Sequence, residues 1–316
     1  MARLLWKGNE RFPWLTRFGQ WSEAALMRLF WGFMLLLPAK KASAFGARLF
    51  GWLGPRSGKQ RHVVANLRMA CSDLDETEIR SLARGVWRNI GSVVAEYPHL
   101  ETLVGKHGEP QFDVVCKNED AAFQRHERPC IFVAAHLGNL YFSAAAIQQL
   151  GFPVDLVYSP LSNPSMDTCI QGYLSSALDC AFISKQNALR PMLKALKQGR
   201  SVGLHVDVRV DGGELFPLLG EDATTTTAPA FLSVKTGIDI VPLRTERLPG
   251  ARFRVTLFPA LERPPKDYSD EQAVRFLTEQ MNVVIGGCIR EHPDQWMCTK
   301  RRWPKPRMRE KGAYDG

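Results

Sequence analysis

From about residue 110 to residue 290 the chain switches repeatedly between two periods, and that alternation constrains the fold more than any other feature. Short apolar runs with strand character are separated by stretches with helical spacing. Strands are expected at 112–115, 130–135, 154–158, 181–183, 202–207, 238–243 and 253–258. Helices are expected at 118–125, just after Gly138 and Asn139, and at 164–178, 188–197, 227–236 and 270–290. Such alternation predicts an α/β fold with a mostly parallel central sheet and helices on both faces. In sheets of this kind the functional edge lies beyond the carboxyl ends of the strands. Two of the expected strands end in reactive side chains there. The run Cys130 to Ala135 leads into His136, Leu137, Gly138 and Asn139, and the run from Val202 ends in Asp207. A histidine in that place is suited to act as a general base, because its pKa lies near physiological pH. No acid follows His136 within the next helical turn, so an orienting carboxylate must come from another segment, with Asp207 the first candidate. His205 alternates with Asp207, so both side chains share one face, toward the site or toward the core.

The first 110 residues have a different character. Trp6, Phe12, Trp14 and Phe18 are mixed with Arg3, Lys7, Arg11 and Arg17, and residues 24–38 are apolar apart from Arg28. The uncharged stretch between Arg28 and Lys40 is shorter than the ~20 residues that spanning a bilayer takes. Aromatic and cationic residues around a short apolar segment predict a helix lying in the membrane interface. No small-residue cleavage site follows it. A basic stretch, Arg56 to Arg61, precedes a long helix that opens at Asp75-Glu76-Thr77-Glu78, where acids complement the helix dipole. Its apolar residues, from Ile79 through Trp87 to Tyr97, recur at helical spacing, and Pro98 ends or kinks it. The expected organisation is a membrane-associating segment at 1–60, an α/β domain at 61–306 and a basic tail at 307–316.

The net charge of +9 points to an anionic partner: a phospholipid surface, a phosphorylated substrate, an acidic carrier protein or nucleic acid. The cations flank apolar and aromatic segments, including Trp303 near the end, which favours a membrane interface over nucleic acid. Seven scattered cysteines form no CxxC pair and no Cys/His cluster with metal spacing, as expected for small core residues in a reducing compartment. A G-x-S-x-G elbow, a P-loop, a G-x-G-x-x-G after a strand and an H-E-x-x-H are all absent. What remains suits a transfer reaction in which a base activates a substrate hydroxyl.

Several blocks, in order, resemble the bacterial lipid A biosynthesis (late, lauroyl/myristoyl-type) acyltransferases. Asn66-Leu67-Arg68, Trp87-Arg88-Asn89-Ile90-Gly91 and Glu96-Tyr97-Pro98 are similar to their N-terminal half. His136-Leu137-Gly138-Asn139 resembles their His-x-Gly-Asn-Trp-Glu motif, and Tyr158-Ser159-Pro160 through Asn163-Pro164 their Tyr-Arg-Pro-x-x-Asn-Pro stretch. Asp207-Val208-Arg209, Phe216 to Gly220 and Thr225-Thr226 resemble the Asp-Gln block and the segment after it. Pro293 to Trp296 with Arg301-Arg302-Trp303-Pro304-Lys305 resembles the C-terminal signature. The resemblance, over about residues 25 to 306, implies a fold like glycerol-3-phosphate acyltransferase. It implies transfer of an acyl chain from acyl carrier protein or coenzyme A to a hydroxyl of a lipid A precursor or related glycolipid. It further implies a place on the cytoplasmic face of the bacterial inner membrane, beside phospholipid, the glycolipid acceptor and an acidic carrier protein. No cofactor and no metal are implied.

The departures fall in the site motifs. Tyr141 stands where the family has the acid that orients the histidine, and a neutral phenol supplies no negative charge. Ser159 replaces a frequent Arg, Val208 the usual Gln, and Lys300 the usual His before Arg-Arg-Trp. The expected catalytic residues are His136 and Asp207. The expected substrate-binding residues are Asn139, Tyr141, Asn163, Arg209, Arg301 and Arg302. Three accounts stay open: Asp207 supports His136; Tyr141 orients it through a hydrogen bond; or the chain is an inactive paralogue that binds lipid or a partner.

Overall fold

The computed structural model describes residues 13–314. The aromatic and cationic residues expected in the interface before Pro13 lie outside the described residues, as do the last two residues of the tail. Four helices open the chain: α1 (Pro13–Leu35), α2 (Ala39–Leu53), α3 (Gln60–Ala70) and α4 (Glu76–Glu96). After a 3-10 turn through Pro98 comes the short α5 (Leu100–Leu103), and then β1 (Phe112–Cys116) and α6 (Ala121–Gln124). The alternating part continues with β2 (Ile131–Ala134), α7 (Phe142–Gln149), β3 (Val154–Tyr158) and α8 (Pro164–Ala177). Next are β4 (Phe182–Ser184), α9 (Leu189–Lys197) and β5 (Ser201–His205). A two-stranded hairpin follows, β6 (Leu215–Leu218) and β7 (Glu221–Thr224). The chain closes with α10 (Ala228–Thr236), β8 (Ile240–Leu248), β9 (Arg252–Leu257), α11 (Asp270–Glu291) and α12 (Lys305–Glu310).

Seven strands form one sheet in the order β1-β9-β8-β2-β5-β3-β4. β8, β2, β5, β3 and β4 are mutually parallel. β9 turns back antiparallel to β8, and β1 runs parallel to β9. The expected α/β class with a mostly parallel sheet is therefore what the chain adopts. Alternation along β2 sends Ile131 and Val133 into one apolar core, with residues of α3, α4, α9, α10 and α11. Phe132 and Ala134 enter a second core on the other face, with residues of α1, α5, α7 and α8. All four side chains of β2 are buried, as a central parallel strand requires.

Local chemistry sets several boundaries. α4 starts at a capping box: Asp75 accepts from the Glu78 backbone at 2.8 Å, and Glu78 accepts from the Asp75 backbone at 2.9 Å. Such a cap contributes about 1 kcal/mol. α2 and α4 touch backbone to backbone at Gly46 and Gly91, where an added Cβ on either would meet the other's carbonyl oxygen. α11 begins at a second capping box, Ser269 with Gln272.

The structure corrects the expected organisation in three places. The stretch after residue 38, where no element was expected, is the helix α2, packed on α4. The sequence from Leu215 to Thr224 carries an unexpected hairpin. Residues 307–316 are not a free basic tail, because α12 straddles residue 307 and buries Met308 and Ala313 in the core. Among the described residues, no helix is long and apolar enough to cross a membrane. α1 nevertheless exposes Trp14, Phe18, Trp21 and Leu29, at roughly helical spacing, on the side away from its buried Trp31 and Met34.

Candidate active site

The sheet register brings the histidine and the aspartate together. β2 and β5 are parallel neighbours with Ala134 beside His205. Two residues further along each chain, past the carboxyl edge, stand His136 and Asp207. Their side chains meet: His136 Nδ1 lies 2.6 Å from Asp207 Oδ1. The other carboxylate oxygen, Oδ2, accepts a hydrogen bond from Trp296 Nε1 at 2.7 Å. Asp207 is buried, whereas the His136 side chain is 30% exposed. An ionised carboxylate only accepts, so the proton between them sits on Nδ1; in the neutral imidazole Nε2 is then unprotonated, and it has no hydrogen-bond partner among the described residues.

The charges reinforce this arrangement. Burial works to raise the Asp207 carboxyl, but the His136 charge and the hydrogen bonds from His136 and Trp296 outweigh it. Asp207 is held far below the usual carboxylate range. For His136, burial and the Lys300 charge push downward, and the charge and hydrogen bond of Asp207 win, so its pKa is raised. His205 lies against His136, with ring centroids 4.6 Å apart. Burial, and then the His136 charge, bring His205 down to about 3, so it stays neutral and does not compete for the proton.

A second polar cluster, centred on the fully buried Glu96, holds the turn after His136. Glu96, at the end of α4, is fully buried and accepts from Arg247 Nη1 at 2.5 Å and Nη2 at 3.0 Å. It also accepts from Ser43 Oγ at 2.6 Å and Asn139 Nδ2 at 2.9 Å. Arg247 Nε donates to Asn89 Oδ1 at 2.7 Å, and Asn89 Nδ2 donates to the carbonyls of Gly138 (2.9 Å) and Gln295 (2.8 Å). Gly138 has φ +57°, and a Cβ there would come within 2.8 Å of the Thr245 carbonyl oxygen. Only glycine fits that approach and that backbone conformation. From the other side the Met297 N–H donates to the His136 carbonyl at 2.9 Å, and Leu137 bridges to Trp296. The histidine therefore stands on a turn clamped from α4, from β8 and from the segment around Trp296.

The other expected site residues separate into groups. Asn139 is fully buried and spends its amide on Glu96, so it braces the turn and has no surface for substrate. Tyr141 is also buried; its hydroxyl pairs with that of Tyr97 at 3.0 Å inside the second apolar core. Burial, and then Tyr97, push the phenol well above its ordinary pKa, so it stays neutral. It makes no hydrogen bond to His136, whose Nδ1 belongs to Asp207, which removes the account in which Tyr141 orients the histidine. Asn163 caps α8, accepting from the Ser165 and Met166 backbones at 3.1 and 3.4 Å. Its amide tethers α1 through the Gln20 carbonyl (2.7 Å) and Glu23 (2.9 Å). Arg302 is buried; it donates to the Thr224 carbonyl at 2.7 Å and Thr225 Oγ1 at 2.9 Å, pinning the C-terminal segment to β7. Asn139, Tyr141 and Asn163 are structural because their polar side-chain atoms are already occupied; Arg302 is structural through its two terminal nitrogens, its buried Nε having no partner among the described residues. Arg209 is paired with Asp211 at 2.6 Å on the surface. Arg301 lines a cationic cavity away from the His136–Asp207 pair.

Two residues near the reacting edge were not among the expected site residues. Trp296 completes the partners of Asp207, and its only signal was its place in the C-terminal block. Lys300 is exposed near His136, and its pKa is lowered by burial and then by the charges of Lys185 and Lys59. Among the described residues no group of three or more His, Cys, Asp or Glu side chains is arranged to hold a metal ion. All seven cysteines are free thiols.

Comparison with known proteins places the chain. No curated protein matches it. Among solved structures it is similar to the 1-acyl-sn-glycerophosphate (LPA) acyltransferase PlsC from Thermotoga maritima, at 15% identity and a TM-score of 0.37, over 78% of this chain and 97% of that one. The family described as bacterial lipid A biosynthesis acyltransferase matches residues 7–305, nearly the whole length of the chain. By that match the chain belongs to the bacterial lipid A biosynthesis acyltransferase family.

Proposed function

We propose that this protein transfers a fatty acyl chain from a thioester, carried by acyl carrier protein or coenzyme A, to a hydroxyl of a lipid A precursor or related glycolipid. The observation that carries the reading is the free Nε2 of a half-buried His136 whose Nδ1 is held by Asp207. His136 Nε2 takes the proton of the acceptor hydroxyl as its oxygen adds to the thioester carbonyl. Asp207 stabilises the imidazolium that forms. The tetrahedral intermediate collapses, the carbon–sulfur bond breaks, and the imidazolium returns the proton to the leaving thiolate. The Lys300 cation, close enough to lower the His136 pKa, offsets the negative charge that develops on the carbonyl oxygen. The reaction needs no cofactor. Asp207 also answers the reading of an inactive paralogue, which rested on the missing acid at Tyr141.

The same reading has the protein act at a membrane, on the cytoplasmic face of the bacterial inner membrane. Trp14, Phe18, Trp21 and Leu29 line an exposed apolar face of α1, more than scattered surface residues require, and Trp52 of α2 is exposed as well. Arg17, Lys40 and Lys41 border it, as suits anionic phospholipid headgroups.

The test is transfer of a labelled acyl chain from acyl carrier protein or coenzyme A to a lipid A precursor in mixed micelles. Wild-type protein is expected to form product and His136→Ala to form none above background. Equal product from both would remove His136 as the base, and none from wild type with either donor would restore the inactive reading.

A further inference from the structure

A second concave feature lies away from the His136–Asp207 pair. Residues of α3, the first turns of α4, Arg301 and the C-terminal helix enclose a cavity of about 720 Å³. Six cations line it: Arg61, Arg68, Arg80, Arg301, Lys305 and Arg309. One acid, Glu76, answers two of them, pairing with Arg68 at 2.8 Å and Arg80 at 2.8 Å. Arg61, Arg301, Lys305 and Arg309 have no ion pair among the described residues.

Their neighbours behave differently. Arg307 and Lys311 belong to the same C-terminal stretch, and both turn to Glu221, each at 2.6 Å. Within this segment Arg307 and Lys311 are thus neutralised, whereas Arg301, Lys305 and Arg309, which line the cavity, are not paired with an acid among the described residues. Arg301 Nε is buried without a hydrogen-bond partner. An arginine N–H removed from water and left unpaired is costly, so the structure holds a donor that an anion would satisfy. Two neutral polar groups complete the lining: His62 Nδ1 and the Tyr314 hydroxyl lie 2.9 Å apart. Burial, then Arg61 and Arg301, lower the His62 pKa, a sign of the positive potential in the cavity.

We propose that this cavity binds a phosphate ester or diphosphate through Arg61, Arg301, Lys305 and Arg309. Guanidinium groups match phosphate oxygens in pairs. The volume falls in the range of small-molecule sites and leaves room for more than one phosphoryl group. The backbone continues from the reaction centre into this wall: Trp296 holds Asp207, Asn66 of α3 donates to the Cys298 and Lys300 carbonyls at 2.8 and 2.7 Å, and Arg301 follows. That a phosphate held here belongs to a molecule reaching His136 rests on the proposed function. The phosphate ester of an acyl donor and the phosphorylated headgroup of an acceptor share this chemistry. The binding itself does not depend on acyl transfer.

The test is calorimetric titration of the full chain in detergent with pyrophosphate, coenzyme A and a diphosphorylated glycolipid in mixed micelles. At least one is expected to bind with one-to-one stoichiometry. Arg61→Gln with Arg301→Gln is expected to weaken it about tenfold or more, since each removes a charge-assisted hydrogen bond. Lys305→Gln with Arg309→Gln, both exposed side chains, is expected to weaken it as well and guards against misfolding of the first pair. Arg252→Gln, which removes one positive charge from β9 outside the cavity, is expected to leave it unchanged. Tightest binding of coenzyme A assigns the cavity to the donor, of the glycolipid to the acceptor, and of pyrophosphate to phosphate alone; each supports the site. His136→Ala is titrated in parallel, so a failure of the acyl-transfer chemistry leaves this result readable. Binding of none of the three, binding undiminished in both double variants, or equal loss in Arg252→Gln overturns the proposal.

Discussion

Two polar clusters flank the turn that begins at His136, and they are built to opposite ends. Around Glu96 every functional group is answered: the carboxylate takes Arg247, Ser43 and Asn139, and Arg247 also reaches Asn89. Around His136 the Asp207 carboxylate is answered by His136 and Trp296, but the imidazole keeps Nε2 open, and beside it the buried His205 Nε2 also has no partner among the described residues. The difference separates a bracket from a reaction centre. A closed network fixes the backbone of Leu137, Gly138 and Asn139. An open one leaves a basic nitrogen available to substrate. Tyr141 lies on the bracket's side of this division. Where the family places an orienting acid, this chain has a phenol absorbed in the core with Tyr97, and the acid has come from the neighbouring strand.

The comparison breaks most visibly in the open cluster. Asp207→Asn is expected to lower the rate of acyl transfer on the order of 10⁴-fold, the loss seen when the orienting acid of a Ser-His-Asp triad becomes an amide. Circular dichroism and elution volume are expected to stay as in wild type, so the loss is chemical. The closed cluster is expected to respond in stability. Glu96→Ala leaves the largely buried Arg247 without its counterion and Asn139 and Ser43 without their acceptor, and the stability read by denaturation is expected to fall by about 3 kcal/mol. A Glu96→Ala protein as stable as wild type would show that the bracket does not hold the turn. Tyr141→Glu sharpens the boundary between the two. It restores the family's acid, yet places a carboxyl in an apolar core beside Tyr97 and toward Asp167. The expected outcome is a loss of about 2 kcal/mol or more and no gain in rate, read by urea titration and by acyl transfer. Tyr141→Phe is the mildest change, about 1 kcal/mol from one lost hydrogen bond, with the rate within about twofold of wild type.

Much of the fold was legible because alternating period survives in sequence. All seven strands of the sheet fall within a few residues of where their apolar runs suggested, and His136 and Asp207 stood at strand ends before any coordinates. What could not be read was pairing at a distance. Nothing near Val202 shows that β5 lies beside β2 with Ala134 level with His205, and that register alone decides that Asp207 reaches His136. Glu96 and Arg247 are 151 positions apart, so their closed pair is invisible in a linear scan. The hairpin of β6 and β7 escaped because Pro217 interrupts a short run whose exposure alternates. α2 escaped because its lysines, alanines and glycines give no clear apolar stripe until Gly46 meets Gly91. Asn139, Asn163 and Arg302 were expected at the substrate for the same reason. A polar residue inside a motif reads as a ligand contact until its partners are seen to be protein atoms.

The central claim, that the charge of Asp207 acts on His136, is tested most directly by the pH dependence of acyl transfer in wild type and Asp207→Asn. A general base works only unprotonated, so the rate falls on the acid side of the His136 pKa. In wild type that limb is expected above the ordinary histidine value of 6.5, because Asp207 raises the pKa against burial and Lys300. With asparagine at 207 only the lowering influences remain, and the limb of the residual activity is expected to move to lower pH. The same acid limb in both proteins would contradict the account.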